Sequence, residues 1–386
     1  MKTGTSPFTI AIPQSVLDDL IARLQRTRWP DETDNEGWEY GTNLSYLKEL
    51  ISYWTSGFDW RSTERAMNQF PQFIVPIGAR RIHFVHVRGK SDNPFPLILT
   101  HGWPSSFHEM HKIIGPLTDP AGHGGHRDEA FDVVIPSLPG FGFSERPAPG
   151  GMMEVDKVWR KLMTDILGYR SFGAHGVDIG ARITSAVGRN HADVVAGIHL
   201  GSVDLDWPDP LPGESSLSSG EKDYLERVKH WEITEGAYGE MQATRPQTLA
   251  YGLTDSPAGL AAWIVEKFRA WSDCGGDIES RFSKDELLST IMLYWVTNCI
   301  NPSLQRYFDK RHTSPSAERL RKVEVPTGIA MFPGEKELLV PRSWAERAYN
   351  IVHWTDMPRG GHFPAQEEPE LLIKDIRTFF HRVIRS

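Results

Sequence analysis

At 386 residues the chain is long enough for one large α/β domain with an inserted or appended subdomain, and 39% apolar residues is an ordinary share for a protein with a substantial core. A formal net charge of −8, with no long run of Lys or Arg, argues against nucleic acid or an anionic membrane as a partner. The opening MKTGTSPFTIAIPQSV holds no signal-peptide core, and no apolar run of about 18 residues occurs, so a soluble cytoplasmic protein is expected.

Gln14 to Arg26 places Val16, Leu17, Leu20, Ile21 and Leu24 on one helical face, and Trp29-Pro30 ends the helix. Periodic segments follow at Leu44 to Trp54 and around Arg61 to Phe70. Trp38, Tyr40, Trp54, Phe58 and Trp60 lie between and beside them, which predicts a helical N-terminal region packed onto something else. Phe73 to Pro76 and Ile82 to Val87 read as two strands joined by a turn at Gly78-Ala79, an antiparallel start to a sheet. Pro96 to Thr100 is a strand of the buried type that runs into His101-Gly102-Trp103-Pro104. A Gly that permits an unusual turn and a Pro that fixes it suit a backbone N–H aimed at a reaction centre. The Trp103 N–H is therefore a candidate oxyanion donor, with a plain strand exit as the alternative.

Phe131 to Ile135 is the next strand and leads into Pro139-Gly140-Phe141-Gly142-Phe143-Ser144. This loop lacks the Gly-Lys-Ser/Thr of a phosphate cradle, and a glycine loop that crowds the site is expected instead. Met153 to Leu167 reads as a helix. Ser171 to Ala174 is then short and largely apolar, and from Gly180 the residues Ala181, Ile183, Ala186 and Val187 take helical spacing. Strand, tight turn and helix make a nucleophile elbow with Asp178 where serine usually sits. Gly176 and Gly180 relieve the crowding of such a turn, and unpaired N–H groups at the helix start favour an ionised carboxylate. An aspartate that merely caps the helix is the alternative.

Val194 to Leu200 closes this run of alternating strands and helices, the pattern of a mostly parallel sheet. Trp207-Pro208-Asp209-Pro210-Leu211-Pro212-Gly213 breaks it. Residues 213 to 317 are helical in character, with apolar residues at three- and four-residue spacing in Lys222 to Glu235, Ala258 to Trp271 and Asp285 to Thr297. Strand character returns at Gly328 to Phe332 and Ile351 to Trp354, and Glu370 to Ile384 reads as a closing helix. The expected division is an N-terminal extension over 1–92, an α/β core over 93–212 and 318–386, and a helical cap over 213–317 that sits above the strand ends.

A carboxylate that forms an ester needs a base to activate water for the second step. His362 in Arg359-Gly360-Gly361-His362-Phe363, after the last strand, is the candidate. A carboxylate on its other ring nitrogen would fix the tautomer. Pro333-Gly334-Glu335-Lys336-Glu337 follows the preceding strand and offers Glu335, with Glu337 as competitor. The chain order nucleophile, acid, histidine is that of the α/β-hydrolases, and no Gly-x-Ser-x-Gly offers a rival serine. The twelve histidines outside positions 101, 175 and 362 are read as surface or packing residues. Cys274 and Cys299 lack metal spacing and read as free packing thiols of a reducing compartment. Thirteen Trp and eighteen Phe exceed the needs of such a core, so some should line an apolar pocket.

With these motifs the sequence resembles an epoxide hydrolase of the α/β-hydrolase fold, of the microsomal type with an N-terminal extension. Arg28-Trp29-Pro30, His101 to Pro104, Leu138 to Ser144, Asp255-Ser256-Pro257-Ala258-Gly259-Leu260-Ala261-Ala262 and Arg359 to Phe363 carry the likeness. The resemblance implies two lid tyrosines that protonate the epoxide oxygen, matched here by Tyr238 and, less firmly, Tyr307. It also implies an oxyanion hole formed by the N–H groups of Trp103 and Ile179. Ile179 stands where many relatives carry Trp, which alters pocket shape more than chemistry. The implied reaction runs without cofactor or metal, on a small-molecule epoxide and water, and the likeness extends to enzymes of natural-product pathways acting on bulky apolar epoxides. A haloalkane dehalogenase with the same triad is the nearest rival; a non-catalytic binding protein is the rival of another class. The aromatic N-terminal region leaves a homodimer open.

Overall fold

The computed structural model describes residues 4–148, 154–203, 217–313, 321–335 and 338–385. The break at Trp207 to Gly213, the first residue of the expected helix at Met153, and the competing acid Glu337 lie outside the described residues.

Strands β1 (Ser6–Phe8), β2 (Gln72–Ile77), β3 (Arg80–Val87), β4 (Phe95–Thr100), β5 (Phe131–Pro136), β6 (Phe172–Gly176), β7 (Val195–Leu200), β8 (Val323–Met331) and β9 (Tyr349–Asp356) form one sheet. Their order in space is β1-β2-β3-β5-β4-β6-β7-β8-β9. The antiparallel start predicted for β2 and β3 extends to β1 and to the pairing of β3 with β5, while β5, β4, β6, β7, β8 and β9 run parallel to their neighbours. Every residue of β5 and β6 is buried, which is why these strands read as unbroken or small-residue runs and show no alternation. β1 escapes sequence reading because Ser6-Pro7-Phe8 is too short to show a period. The chain reverses direction across the sheet at β4, and the carboxyl ends of β4 and β6 meet there, the position where open α/β sheets bind ligands.

Helices α1 (Gln14–Gln25), α2 (Leu44–Ser56) and α3 (Trp60–Met67) lie between β1 and β2. They are followed by α4 (His111–Thr118), α5 (Val155–Lys161) and α6 (Ile179–Asn190). Between β7 and β8 lie α7 (Ser219–Thr234), α8 (Ala237–Thr244), α9 (Pro246–Asp255), α10 (Pro257–Trp271), α11 (Lys284–Thr297) and α12 (Ile300–His312). Finally α13 (Arg342–Ala348) precedes β9, and α14 (Pro364–Glu367) and α15 (Pro369–Arg385) follow it. Helix α6 packs on β6, β7 and β8, while α15 packs on β7, β8 and α4, so the parallel strands are covered by helices.

Local signals start several helices. Asn43 accepts the Tyr46 N–H at the start of α2, and Ser218 with Glu221 and Ser283 with Glu286 form capping boxes on α7 and α11. Each such cap contributes roughly 1 kcal/mol.

The N-terminal helices brace the helices inserted between β7 and β8. Thr42 Oγ1 donates to the Ala262 carbonyl at 2.7 Å, Tyr53 donates to Asp285 at 2.8 Å, and the Arg269 guanidinium lies 4.8 Å from the Trp38 ring centroid. Below the sheet a buried polar chain runs His175–His199–Asp375–His353. Its links measure 2.9 Å between the His Nδ1 atoms, 2.8 Å from His199 Nε2 to Asp375, and 2.8 Å from His353 Nε2 to Asp375. It ties β6, β7 and β9 to α15.

Candidate active site

Asp178 stands between β6 and α6 with φ 50° and ψ −124°, one of three non-glycine residues with positive φ among the described residues. Such a backbone costs on the order of 1–3 kcal/mol and persists only where the surroundings over-determine it. Two glycines show how. A Cβ on Gly180 would stand 2.0 Å from the Thr100 carbonyl oxygen, and one on Gly102 would stand 2.2 Å from Asp178 Oδ1. The start of α6 and the loop after β4 therefore close on each other with no room for a side chain. Ser202 Oγ accepts the Asp178 N–H at 2.8 Å and fixes the turn from β7.

In the loop after β4, the Trp103 N–H donates to Asp178 Oδ1 at 2.8 Å. Ile179 is the first residue of α6 and lines the cavity beside the carboxylate. With Oδ1 engaged by Trp103, Oδ2 faces His362, whose Nε2 lies 3.7 Å away. On the other side of the imidazole, Nδ1 makes a very short hydrogen bond to Glu335 Oε1. Burial opposes a charge on His362, but the Glu335 carboxylate, and after it Asp178, outweigh that and push its pKa up to about 9.

The loop that carries His362 is clamped to the end of α10. The His362 N–H donates to the Trp271 carbonyl at 2.9 Å and the Gly360 N–H to Asp273 at 2.9 Å. Glu367 accepts the N–H of both Phe363 and Asp273, and Arg281 and Arg359 share Glu368. Phe363 stacks on Phe268 of α10 with centroids 4.1 Å apart. His362 thus takes its position from both the core and the inserted helices.

Tyr238 on α8 and Tyr307 on α12 come to the same cavity from those helices, which pack on each other. Their rings meet edge to face, with centroids 5.9 Å apart. Trp103 serves both: its indole stacks on Tyr238 at 5.2 Å and 8°, and meets Tyr307 edge-on at 5.9 Å. Burial, and next the Asp178 charge for Tyr238 or the neighbouring phenol for Tyr307, hold both hydroxyls far above the usual phenol range. They stay protonated and available as donors.

The structure gathers Asp178, Ile179, Tyr238, Tyr307, Glu335 and His362 around one cavity of about 430 Å³. Its walls include Trp231 and the charged Arg182, Glu232, Arg306 and Lys310. The glycine loop does not crowd this site. Ser144 Oγ accepts the His83 N–H at 3.0 Å and tethers the loop to β3, and Gly140 and Gly142 line a separate cleft with Arg23. Sequence reasoning missed the second use of Trp103, as a platform for both tyrosines, and the closeness of Trp271, whose ring centroid lies 4.9 Å from that of His362. The excess of Trp was a signal for aromatic walls but did not say which indoles build them.

Residues 5–110 match the family model described as "Epoxide hydrolase N terminus", and residues 96–221 match the "alpha/beta hydrolase fold". "Epoxide hydrolase 1" of Oryctolagus cuniculus is 36% identical over 410 residues, covering 98% of this chain and 89% of the relative. The solved structure of Aspergillus niger epoxide hydrolase superposes with a TM-score of 0.85 at 31% identity, covering 98% of this chain and 96% of that one. The juvenile hormone epoxide hydrolase of the silkworm Bombyx mori gives 0.82 at 28%, covering 100% and 95%. With likeness of this extent over both the N-terminal extension and the core, the chain belongs to the epoxide hydrolases of the α/β-hydrolase fold.

Proposed function

We propose that the protein hydrolyses an epoxide to a vicinal diol through a covalent ester of Asp178. Asp178 Oδ2 attacks one epoxide carbon as the carbon–oxygen bond of the ring breaks, and Tyr238 and Tyr307 donate to the leaving oxygen, which takes a proton from one of them. Water then loses a proton to His362 Nε2 and adds to Cγ of Asp178. The oxyanion forms at Oδ1, where the Trp103 and Ile179 N–H groups receive it; in comparable sites one such donor is worth about 2.7–4 kcal/mol. Collapse breaks the bond between Cγ and the former Oδ2, which leaves with the diol and takes the proton from His362; the second proton of the water leaves the regenerated Asp178 carboxyl and restores the tyrosine that gave up its own. The observation that carries this reading is the division of labour at one carboxylate: Oδ1 on a backbone donor, Oδ2 beside the imidazole.

Electrostatics supplies the timing. In the free enzyme Asp178 and Glu335 hold His362 as imidazolium up to about pH 9. Esterification removes the Asp178 charge, so the imidazole becomes a base at the stage that needs one. We further propose that the helices over 213–317 act as the lid, since both tyrosines lie on them. A cavity of about 430 Å³ suits a small-molecule substrate. The aromatic wall favours an apolar group next to the ring, the basis for a bulky natural-product epoxide. A cytoplasmic location rests on the two buried free thiols, Cys274 and Cys299.

Single turnover in ¹⁸O water tests the route: the first diol formed carries no label at the new hydroxyl and the protein gains it at Asp178. Label in the first diol would mean direct attack by water. The indole Nε1 atoms of Trp103 and Trp271 are buried without a hydrogen-bond partner, which is the one feature that favours carbon–halogen cleavage, where a halide needs such donors. Halide release from bromoalkanes at a rate matching epoxide opening would support that second reading.

A further inference from the structure

Lys267 on α10 is 6% exposed, a depth that a lysine seldom reaches unless it is paired. It is paired: Nζ lies 3.1 Å from Glu235 Oε2 at the C-terminal end of α7, and 2.8 Å from Glu266 Oε2. A tie between α7 and α10 would account for those contacts alone. It does not account for where the ammonium sits, which is over the Tyr238 ring, 5.0 Å from its centroid, and over the Trp271 ring at 5.5 Å. The two carboxylates have 31% and 26% of their side chains exposed, so water screens them while the ammonium lies against the rings. Trp103, stacked on Tyr238 at 8°, fixes the plane of that ring.

Ring opening moves negative charge towards this cation. As Asp178 Oδ2 bonds to the epoxide carbon, the electron pair of the breaking carbon–oxygen bond goes to the epoxide oxygen, which takes the proton of Tyr238. The carboxylate charge is thereby spent in the ester, and the same unit of charge ends on the phenolate. A phenolate spreads its charge into the ring, so a cation over the ring is held more strongly after the proton transfer than before it. An interaction that grows towards the transition state speeds the step, whereas one of constant strength does not. Burial, and after it the Asp178 charge, keep the proton on Tyr238, with Glu235 and Glu335 adding to them and Tyr307 opposing. Lys267 is placed to offset that resistance as the proton leaves.

We infer that Lys267 is a positioning residue of the ring-opening step, whose ammonium over the Tyr238 ring stabilises the phenolate as it forms. This rests on Tyr238 as proton donor in the ester route proposed above. Lys267 acts through Tyr238 and touches no reacting atom. The release of the ester is carried by His362 and the N–H groups of Trp103 and Ile179, and does not draw on this cation.

The test separates the two chemical steps by rapid-quench single turnover, with styrene oxide, or another aryl epoxide that the wild type turns over, as probe. In Lys267→Met, which keeps the stem and removes the charge, alkylation of Asp178 slows about 5- to 30-fold, the worth of a desolvated cation over a ring, while ester hydrolysis stays within about threefold. Lys267→Arg, which keeps the cation, recovers most of the lost rate. In the Tyr238→Phe background, Lys267→Met costs nothing further in alkylation. A second probe, an epoxide bearing a trifluoromethyl group, leaves as a less basic alkoxide that needs less help from a proton, so its loss in Lys267→Met is smaller. A merely displaced Tyr238 would slow both probes alike. Wild-type alkylation in Lys267→Met, equal loss in both chemical steps, or equal loss with both probes overturns the inference. Should Lys267→Met not fold, Lys267→Gln, whose amide can still donate to Glu235 and Glu266, takes its place under the same expectations. Undiminished alkylation in Tyr238→Phe alone would instead sink the assignment of the proton donor, and absence of any ester in the wild type the covalent route itself.

Discussion

Asp178 and Tyr238 face each other across one cavity, yet the chain holds them by opposite means. Asp178 belongs to a floor made of backbone: a strained φ, two glycines with no room for a Cβ, and hydrogen bonds from Trp103 and to Ser202. Tyr238 and Tyr307 belong to a wall made of side chains, seated on the Trp103 indole and on the packing of α8 against α12. The floor tolerates no displacement because backbone atoms cannot move aside. The wall rests on side-chain packing, which has rotamer freedom that a backbone floor lacks. The difference teaches where to look for chemistry and where for selectivity.

The largest effect expected is at the floor. Asp178→Asn in freshly made protein should lose on the order of 10⁴- to 10⁶-fold in kcat, as removal of a nucleophile does. Wild-type rates would show that the floor is a helix cap and no more.

His362→Gln comes next and cuts between the steps: the ester forms but is not released, and turnover falls by roughly 10²- to 10⁴-fold. Intact-protein mass spectrometry reads the trapped adduct. In the wild type, the hydrolysis of the ester should lose its base on acidification at a pH clearly below 9. The folded pKa of about 9 is raised by Glu335 and, after it, by Asp178, and the Asp178 charge is absent in the ester. An acidic limb at 9 would show that esterification leaves the imidazole unchanged.

At the wall the effects are smaller because two donors share one oxygen. Tyr238→Phe should slow alkylation by about 10- to 100-fold and Tyr307→Phe by less, with ester hydrolysis unchanged in both. Pre-steady-state quench data decide this, and equal, undiminished alkylation would remove the wall from the chemistry.

The smallest effect on turnover is expected below the sheet. Burial opposes ionisation of Asp375, but hydrogen bonds from His199, His353 and Thr355 outweigh it and depress its pKa. A carboxylate depressed on folding stabilises the protein above its unfolded value, about 3.9, and that stability is lost as pH falls towards the folded value. Asp375→Asn should therefore cost about 1–3 kcal/mol near neutral pH, and the deficit should shrink in acid. Urea unfolding at several pH values measures it; a pH-independent deficit would mean that packing, and not charge, is what the variant lost.

How much of this could be read in the chain follows the same contrast. The elbow at Asp178, the Trp103 donor and the glycine-rich loop of His362 were legible because each is a local device: a strained turn needs its glycines within a few residues of the group it carries. The core strands were legible as apolar runs, whereas α8, eight residues long, and the largely polar α12 were not. Tyr238 and Tyr307 came only from family likeness, since two tyrosines 69 positions apart carry no local mark of meeting.

The sequence by itself determined the order of Asp178, Glu335 and His362 at the ends of their strands, the parallel sheet that presents them, and the inserted helical segment, because backbone conformation and hydrophobic period are properties of neighbouring residues. Only the tertiary structure decided that one tryptophan supports both tyrosines and that the glycine loop turns away from the cavity. Those facts depend on which distant side chains share a space, and packing settles that only when every element is in place.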